Sequence, residues 1–102
     1  SVFQLGSDPL EITLNYSPTF IQMGDMINFT ASAQNGSFPY HYVWEKRDSD
    51  ILSWSIIRDI NDSYSNIDSF SIKAGTEEFY VRCTVFSNDK SGSQTVLIKA
   101  VN

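Results

Sequence analysis

Few residues of this chain are suited to catalysis. It contains one histidine, His41, and one cysteine, Cys83, among 102 residues. Nucleophilic catalysis requires a nucleophile, a base and a group that orients the base, all within hydrogen-bonding distance. His41 lies between two tyrosines of an alternating stretch, and no nucleophile-elbow sequence is present. We therefore expect His41 to be a surface strand residue and the chain not to be an enzyme.

Metal ligands are equally sparse. One cysteine and one histidine do not supply the ligand set of a zinc site. Calcium prefers hard oxygen ligands on loops, and Asp59, Asn61 and Asp62 are the candidates in the polar stretch 59–66. The EF-hand spacing fails, because the sixth position from Asp59 is Tyr64 and the twelfth is Phe70. We expect a solvated polar loop here, with no metal and no cofactor.

Exposed aromatic residues offer a third kind of chemistry, the stacking of rings on sugars. Trp54 and Tyr64 are the candidates for ligand binding among the aromatic residues that could be exposed, and Trp54 is the better of the two. Partial burial against the chain's own sheet or a neighbouring module is the alternative. A mostly buried Trp54 would weaken the sugar interpretation.

These residues must be positioned by strands, of which the clearest is the stretch from Pro39 to Glu45. Tyr40, Tyr42 and Trp44 alternate, so in a strand all three rings project from one face. Each aromatic ring buries about 150–250 Å², so the other strands must cover this face. The predicted core consists of Phe29, Tyr40, Tyr42, Trp44, Val81 and Cys83.

The rest of the chain shows period-two alternation and no helical period. Strands are predicted at 10–16, 26–33, 39–45, 53–58, 69–73, 79–86 and 94–101, and polar connections at 46–50, 59–66 and 87–92. Phe70, Ile72, Val96 and Ile98 should point inward. Residues 1–8 are expected to be a linker or tail and residues 9–102 one domain. This pattern predicts an all-β antiparallel sandwich of seven or eight strands.

Composition limits the partners. The formal net charge is -5, which argues against nucleic acid because phosphate binding needs a basic surface. No apolar run has the length of about 18 residues needed for a transmembrane helix. A single cysteine allows no internal disulfide.

The order of these motifs resembles the immunoglobulin-like and PKD-like sandwich modules of bacterial surface proteins and phage virions. The residues that carry the resemblance are 29–33, Gly36, 40–44, 70–72, Gly75, 79–85, Gly92 and 95–98. Within that group, the stretch 54–59 is similar to the tandem triple-tyrosine modules of secreted bacterial proteins. The resemblance spans roughly residues 10–101.

Two departures from these families stand out. The Asp-Gly signature of PKD domains is replaced by Glu-Lys-Arg-Asp at 45–48. The paired cysteines and the nearby tyrosine of immunoglobulin domains are missing, with Val81 in the tyrosine position. By this resemblance, Trp44 packs on Phe29, Val81 and Cys83 without a disulfide.

The resemblance implies a non-catalytic module of a larger extracellular, cell-surface or virion protein that acts in spacing, display or weak adhesion. Its partners would be neighbouring modules or another surface or virion protein, with no nucleic acid and no membrane insertion. The alternative is a carbohydrate-binding module attached to a secreted enzyme, with a polysaccharide as its partner.

Overall fold

The computed structural model describes residues 9–101, in which every regular element is a β-strand. The predicted linker at residues 1–8 lies outside the described residues, as does residue 102. The seven strands are β1 (Glu11–Ser17), β2 (Met26–Gln34), β3 (Tyr40–Asp48), β4 (Ser55–Ser63), β5 (Ile67–Lys73), β6 (Phe79–Ser87) and β7 (Lys90–Ile98). Among the described residues, no helix is long and apolar enough to cross a membrane.

The strands form two sheets with the order β1-β2-β5 and β4-β3-β6-β7. Every neighbouring pair is antiparallel. The two sheets pack face to face over a shared apolar core. The predicted fold class, an all-β antiparallel two-sheet sandwich of seven strands without a disulfide, is confirmed for the described residues.

The core is built on β3, which lies in the middle of the four-stranded sheet. Tyr40, Tyr42 and Trp44 all point inward, and the exposed fraction of each is 4% or less. The Trp44 ring lies edge-on to Phe70, 4.7 Å away between centroids, and 6.4 Å from Phe29. All six residues of the predicted core are buried: Phe29, Tyr40, Tyr42, Trp44, Val81 and Cys83.

Three predicted connections are wrong in part, because strand pairing overrides local composition. β3 extends to Asp48, so residues 46–48 of the expected connection at 46–50 are strand. They pair with β6, and the last pair joins Asp48 to Phe79. β4 extends through Ser63, so residues 59–63 of the expected loop at 59–66 are strand. The expected loop at 87–92 shrinks to a two-residue turn at Asn88 and Asp89, since Ser87 pairs with Lys90.

The last strand also differs from its predicted position. β7 starts at Lys90 instead of Gln94 and ends at Ile98. Val101 lies beyond it and forms an isolated bridge with Gln22. As predicted from the alternation, Ile98 is buried and Val96 packs against the core.

We expect Trp44→Ala to lower the free energy of unfolding by about 3–5 kcal/mol, because it leaves a cavity where both sheets meet. Urea denaturation followed by circular dichroism measures this loss. Leu52→Ala is the matched control, since the side chain of Leu52 is 90% exposed, and it should have almost no effect. A loss below about 1 kcal/mol for Trp44→Ala would show that the centre of the core lies elsewhere.

Candidate binding site

The most buried carboxylate in an ion pair is that of Asp68 in β5, with a side chain that is 12% exposed. Its Oδ2 accepts a hydrogen bond of 2.7 Å from the Trp44 indole Nε1. The Arg58 guanidinium donates to both carboxylate oxygens, from Nε to Oδ2 and from Nη2 to Oδ1, each over 2.9 Å. Trp44 and Arg58 belong to the four-stranded sheet and Asp68 to the other, so this cluster links the two sheets.

This cluster perturbs the ionisation of four groups, one of which is Arg58, whose pKa is raised by its hydrogen bond to Asp68 and by the charge of that carboxylate. Burial acts to raise the pKa of Asp68, but the hydrogen bonds from Arg58 and Trp44 and the Arg58 charge outweigh it and leave the pKa below its usual value. Burial, followed by the charge of Asp68, raises the pKa of Tyr42 to about 12. The same two causes raise the pKa of Cys83 to about 12, which makes a buried thiol unreactive near neutral pH.

Perturbed ionisable groups often mark active sites. Here, however, the side-chain oxygens of Asp68 and Tyr42 already have protein partners. The Tyr42 hydroxyl donates to the Ser65 carbonyl oxygen over 2.7 Å. Among the described residues, no buried side-chain nitrogen or oxygen lacks a hydrogen-bond partner. We therefore interpret the Asp68 cluster as structural.

His41 lies on the outer face of the four-stranded sheet, as its position in the alternation predicted. Its Nε2 is 2.5 Å from Asp59 Oδ1 on β4, and its ring packs 5.5 Å from that of Phe86. The two side chains of this pair are 35% and 46% exposed. Because the cross-strand partner of His41 on β6 is Phe86, the position facing it there carries no nucleophile.

The calcium candidates Asp59, Asn61 and Asp62 lie in β4 and not in a loop. The carboxylate of Asp59 is engaged with His41. The β3–β4 pairing is irregular near the other two, and Asp62 has a positive φ of 54°. Residues 9–101 contain no group of three or more histidine, cysteine or acidic side chains that could hold a metal ion.

Trp54 lies in the β3–β4 connection, which folds back over the outer face of its own sheet. The Arg82 guanidinium lies 4.0 Å from the centroid of the Trp54 ring, and that of Arg47 lies 5.3 Å away. Arg82 also pairs with Glu45 over 2.8 Å. Trp54 is half-buried, and the stacked guanidinium groups compete with a sugar for its ring.

Tyr64 is highly exposed, at 72%, in the connection between β4 and β5. Its ring lies 6.0 Å from that of Phe38, which is 51% exposed and belongs to the β2–β3 connection. Phe38 lines a surface depression of about 550 Å³ at this end of the sandwich, and Tyr64 lies beside Phe38 outside that lining. Phe38 was not among the candidate residues from the sequence, although its position after Asn35, Gly36 and Ser37 indicates a surface turn.

Comparison with known proteins assigns the chain to no group: no protein-family model matches it, and no curated protein matches its sequence. The geometry of the molecule is therefore the basis on which its function is inferred.

The lowered pKa of Asp68 predicts that acid lowers the free energy of unfolding. Below the usual aspartate pKa of about 3.9, the unfolded chain binds a proton that folded Asp68 does not, so stability falls as pH drops towards the folded pKa. Asp68→Asn should remove this part of the acid dependence, measured by urea denaturation at several pH values. Asp59→Asn, on the exposed face, should retain it. An unchanged acid dependence in Asp68→Asn would show that Asp68 is not a source of the acid destabilisation.

Proposed function

We propose that this chain is a non-catalytic spacer and display module of a larger extracellular, cell-surface or virion protein. The observation that carries the proposal is that the described chain enters and leaves the sandwich at opposite ends. Modules joined in this way extend head to tail and hold a neighbouring module at a fixed distance.

The entry point lies beside the β2–β3 connection. The Pro9 carbonyl oxygen accepts a hydrogen bond of 3.3 Å from Asn35 Nδ2. β1 then runs away from this end, because Glu11 pairs with Gln34 and Ser17 pairs with Asn28. The first described residue is therefore fixed to the end that carries the β2–β3 and β6–β7 turns.

The exit point lies at the other end of the sheets. The Val101 amide donates to the Ile21 carbonyl oxygen over 2.9 Å, and the Met23 amide donates to the Val101 carbonyl oxygen over 3.2 Å. This segment precedes β2, whose first residue, Met26, pairs with Lys73. The exit is thus hydrogen-bonded to the body of the domain.

Such an arrangement suits a module under tension. A load applied between the two ends runs along the strands, and the hydrogen bonds between antiparallel strands are perpendicular to it. The bonds between β1 and β2, which pair over the whole of β1, then share the load instead of breaking one after another.

The alternative, a carbohydrate-binding module centred on Trp54, receives less support. Arg82 stacks over the Trp54 ring and is itself paired with Glu45. A sugar that displaced the Arg82 guanidinium from the Trp54 ring would break the contacts that hold the β3–β4 connection on the sheet. Non-catalytic action is supported by the engagement of His41 with Asp59 and by the burial of Cys83.

Single-molecule force spectroscopy tests the spacer proposal. A module loaded through Pro9 and Val101 should unfold at a clearly higher force than one loaded through Pro9 and Asp89. Asp89 lies in the β6–β7 turn at the same end as Pro9, so the second geometry separates strands from one end. Equal forces in the two geometries, or a weaker end-to-end geometry, would contradict the proposal.

A further inference from the structure

We propose that Phe38 and Tyr64, with the amide side chains beside them, form a binding site for a neutral saccharide. The site lies at the end of the sandwich, away from Trp54. It goes beyond the spacer function, because a spacer does not need a ligand site.

The first argument is the exposure of the two rings. Phe38 is 51% and Tyr64 is 72% exposed, and their centroids are 6.0 Å apart with the ring planes inclined by 46°. Phe38 also lies edge-on to the buried Tyr40 at 5.4 Å. The two rings are therefore attached to the core while much of their surface remains open to solvent.

The second argument is that the connection carrying Phe38 is held in place. Ser87, which is buried, accepts a hydrogen bond from the Ser37 amide and donates one to the Ser37 carbonyl oxygen, both over 2.8 Å. Asn88 Nδ2 donates to Ser37 Oγ over 3.1 Å, and Lys90 Nζ donates to the Asn35 carbonyl oxygen over 2.7 Å. Four hydrogen bonds thus fix Asn35 and Ser37, which precede Phe38 in the connection.

Gly36 makes this close packing possible. A Cβ atom at Gly36 would lie 2.7 Å from Ser87 Oγ and 2.8 Å from both Leu10 Cδ1 and Tyr40 Cε1. Any other residue would push the connection away from the β6–β7 turn. The exposed ring of Phe38 therefore lies on a preorganised backbone, which lowers the entropic cost of binding.

The connection that carries Tyr64 is also held. The Ser65 carbonyl oxygen accepts the hydrogen bond from the buried Tyr42 hydroxyl over 2.7 Å. Ser65 Oγ donates to the Ile67 carbonyl oxygen over 2.9 Å, and the Ser65 amide donates to Ser63 Oγ over 3.2 Å. The backbone on the C-terminal side of Tyr64 is thus fixed to the core.

The lining of the depression indicates the class of ligand. It contains the amides of Gln34, Asn35 and Asn66, the Ser37 hydroxyl and the two aromatic side chains of Phe38 and Tyr40, and none of its residues is charged. In a chain with a net charge of -5, an uncharged lining favours a neutral ligand. A pyranose ring suits it, because its C–H face can pack on an aromatic ring while its hydroxyls bond to amides.

Two other ligand classes fit less well. Nucleic acid would need cationic side chains for its phosphates, which the lining lacks. An apolar peptide would need a deep apolar groove to bury its anchors, whereas this depression is open and largely polar. The saccharide is therefore the ligand class that the lining favours.

Titrations followed by two-dimensional ¹H–¹⁵N NMR test this site. The probes are four neutral oligosaccharides at millimolar concentration: β-linked glucose, β-linked xylose, β-linked N-acetylglucosamine and α-linked glucose oligomers. At least one should shift the amide signals of Asn35, Phe38 and Asn66. Tyr64→Ala should weaken that binding by about tenfold or more, as should Phe38→Ala, while Trp54→Ala should leave it unchanged.

Well-dispersed spectra of each variant show that it is folded. Tyr64→Ala disturbs the fold less than Phe38→Ala, because Tyr64 is the more exposed of the two residues. Two results would overturn the proposal: no shift with any of the four probes, or shifts centred on Trp54. These results would leave the force measurement unaffected, because it involves no ligand.

Discussion

The carboxylate of Asp68 is the constraint on which the rest of the sandwich depends. A carboxylate removed from water is costly unless opposite charge and hydrogen bonds compensate it. Here the Trp44 indole donates one hydrogen bond and the Arg58 guanidinium donates two. Both donors lie in the sheet opposite to Asp68, so the carboxylate is satisfied only when the sheets are correctly aligned. This polar link connects two sheets that share no disulfide.

Several other features make that link possible. Asp68 pairs with Ala31 of β2, and a small side chain there leaves room for the carboxylate. On the other sheet, the β3–β4 register shifts so that Arg58 lies opposite Trp44 while Ile56 lies opposite Glu45. Arg58 projects inward because it pairs directly with the inward-pointing Trp44, and its guanidinium can therefore reach Asp68 of the opposite sheet. The irregularity falls after this pair, at Ile57, and leaves the pairing of Trp44 with Arg58 in place.

The sequence predicted the strands correctly where apolar and polar residues alternate regularly. It failed where contacts with a neighbouring strand determine the local structure. The alternation of Tyr40, Tyr42 and Trp44 was sufficient to identify the central strand and its buried face. Residues 59–63 resembled a loop because Asn, Asp and Ser have low strand propensity, but β3 supplies them with partners. The inward position of Asp68 follows from its spacing to Phe70 and Ile72; its hydrogen-bond partners are remote in sequence and could not be inferred.

A double-mutant cycle with Trp44→Phe and Asp68→Ala tests the central claim most directly. Trp44→Phe removes the indole N–H but keeps an aromatic ring in the core, and the cycle cancels the loss of ring volume common to both backgrounds. If the indole and the carboxylate act as a pair, their coupling energy from urea denaturation should be about 1–3 kcal/mol. Free energies that add within about 0.5 kcal/mol would show that Asp68 does not join the sheets through Trp44.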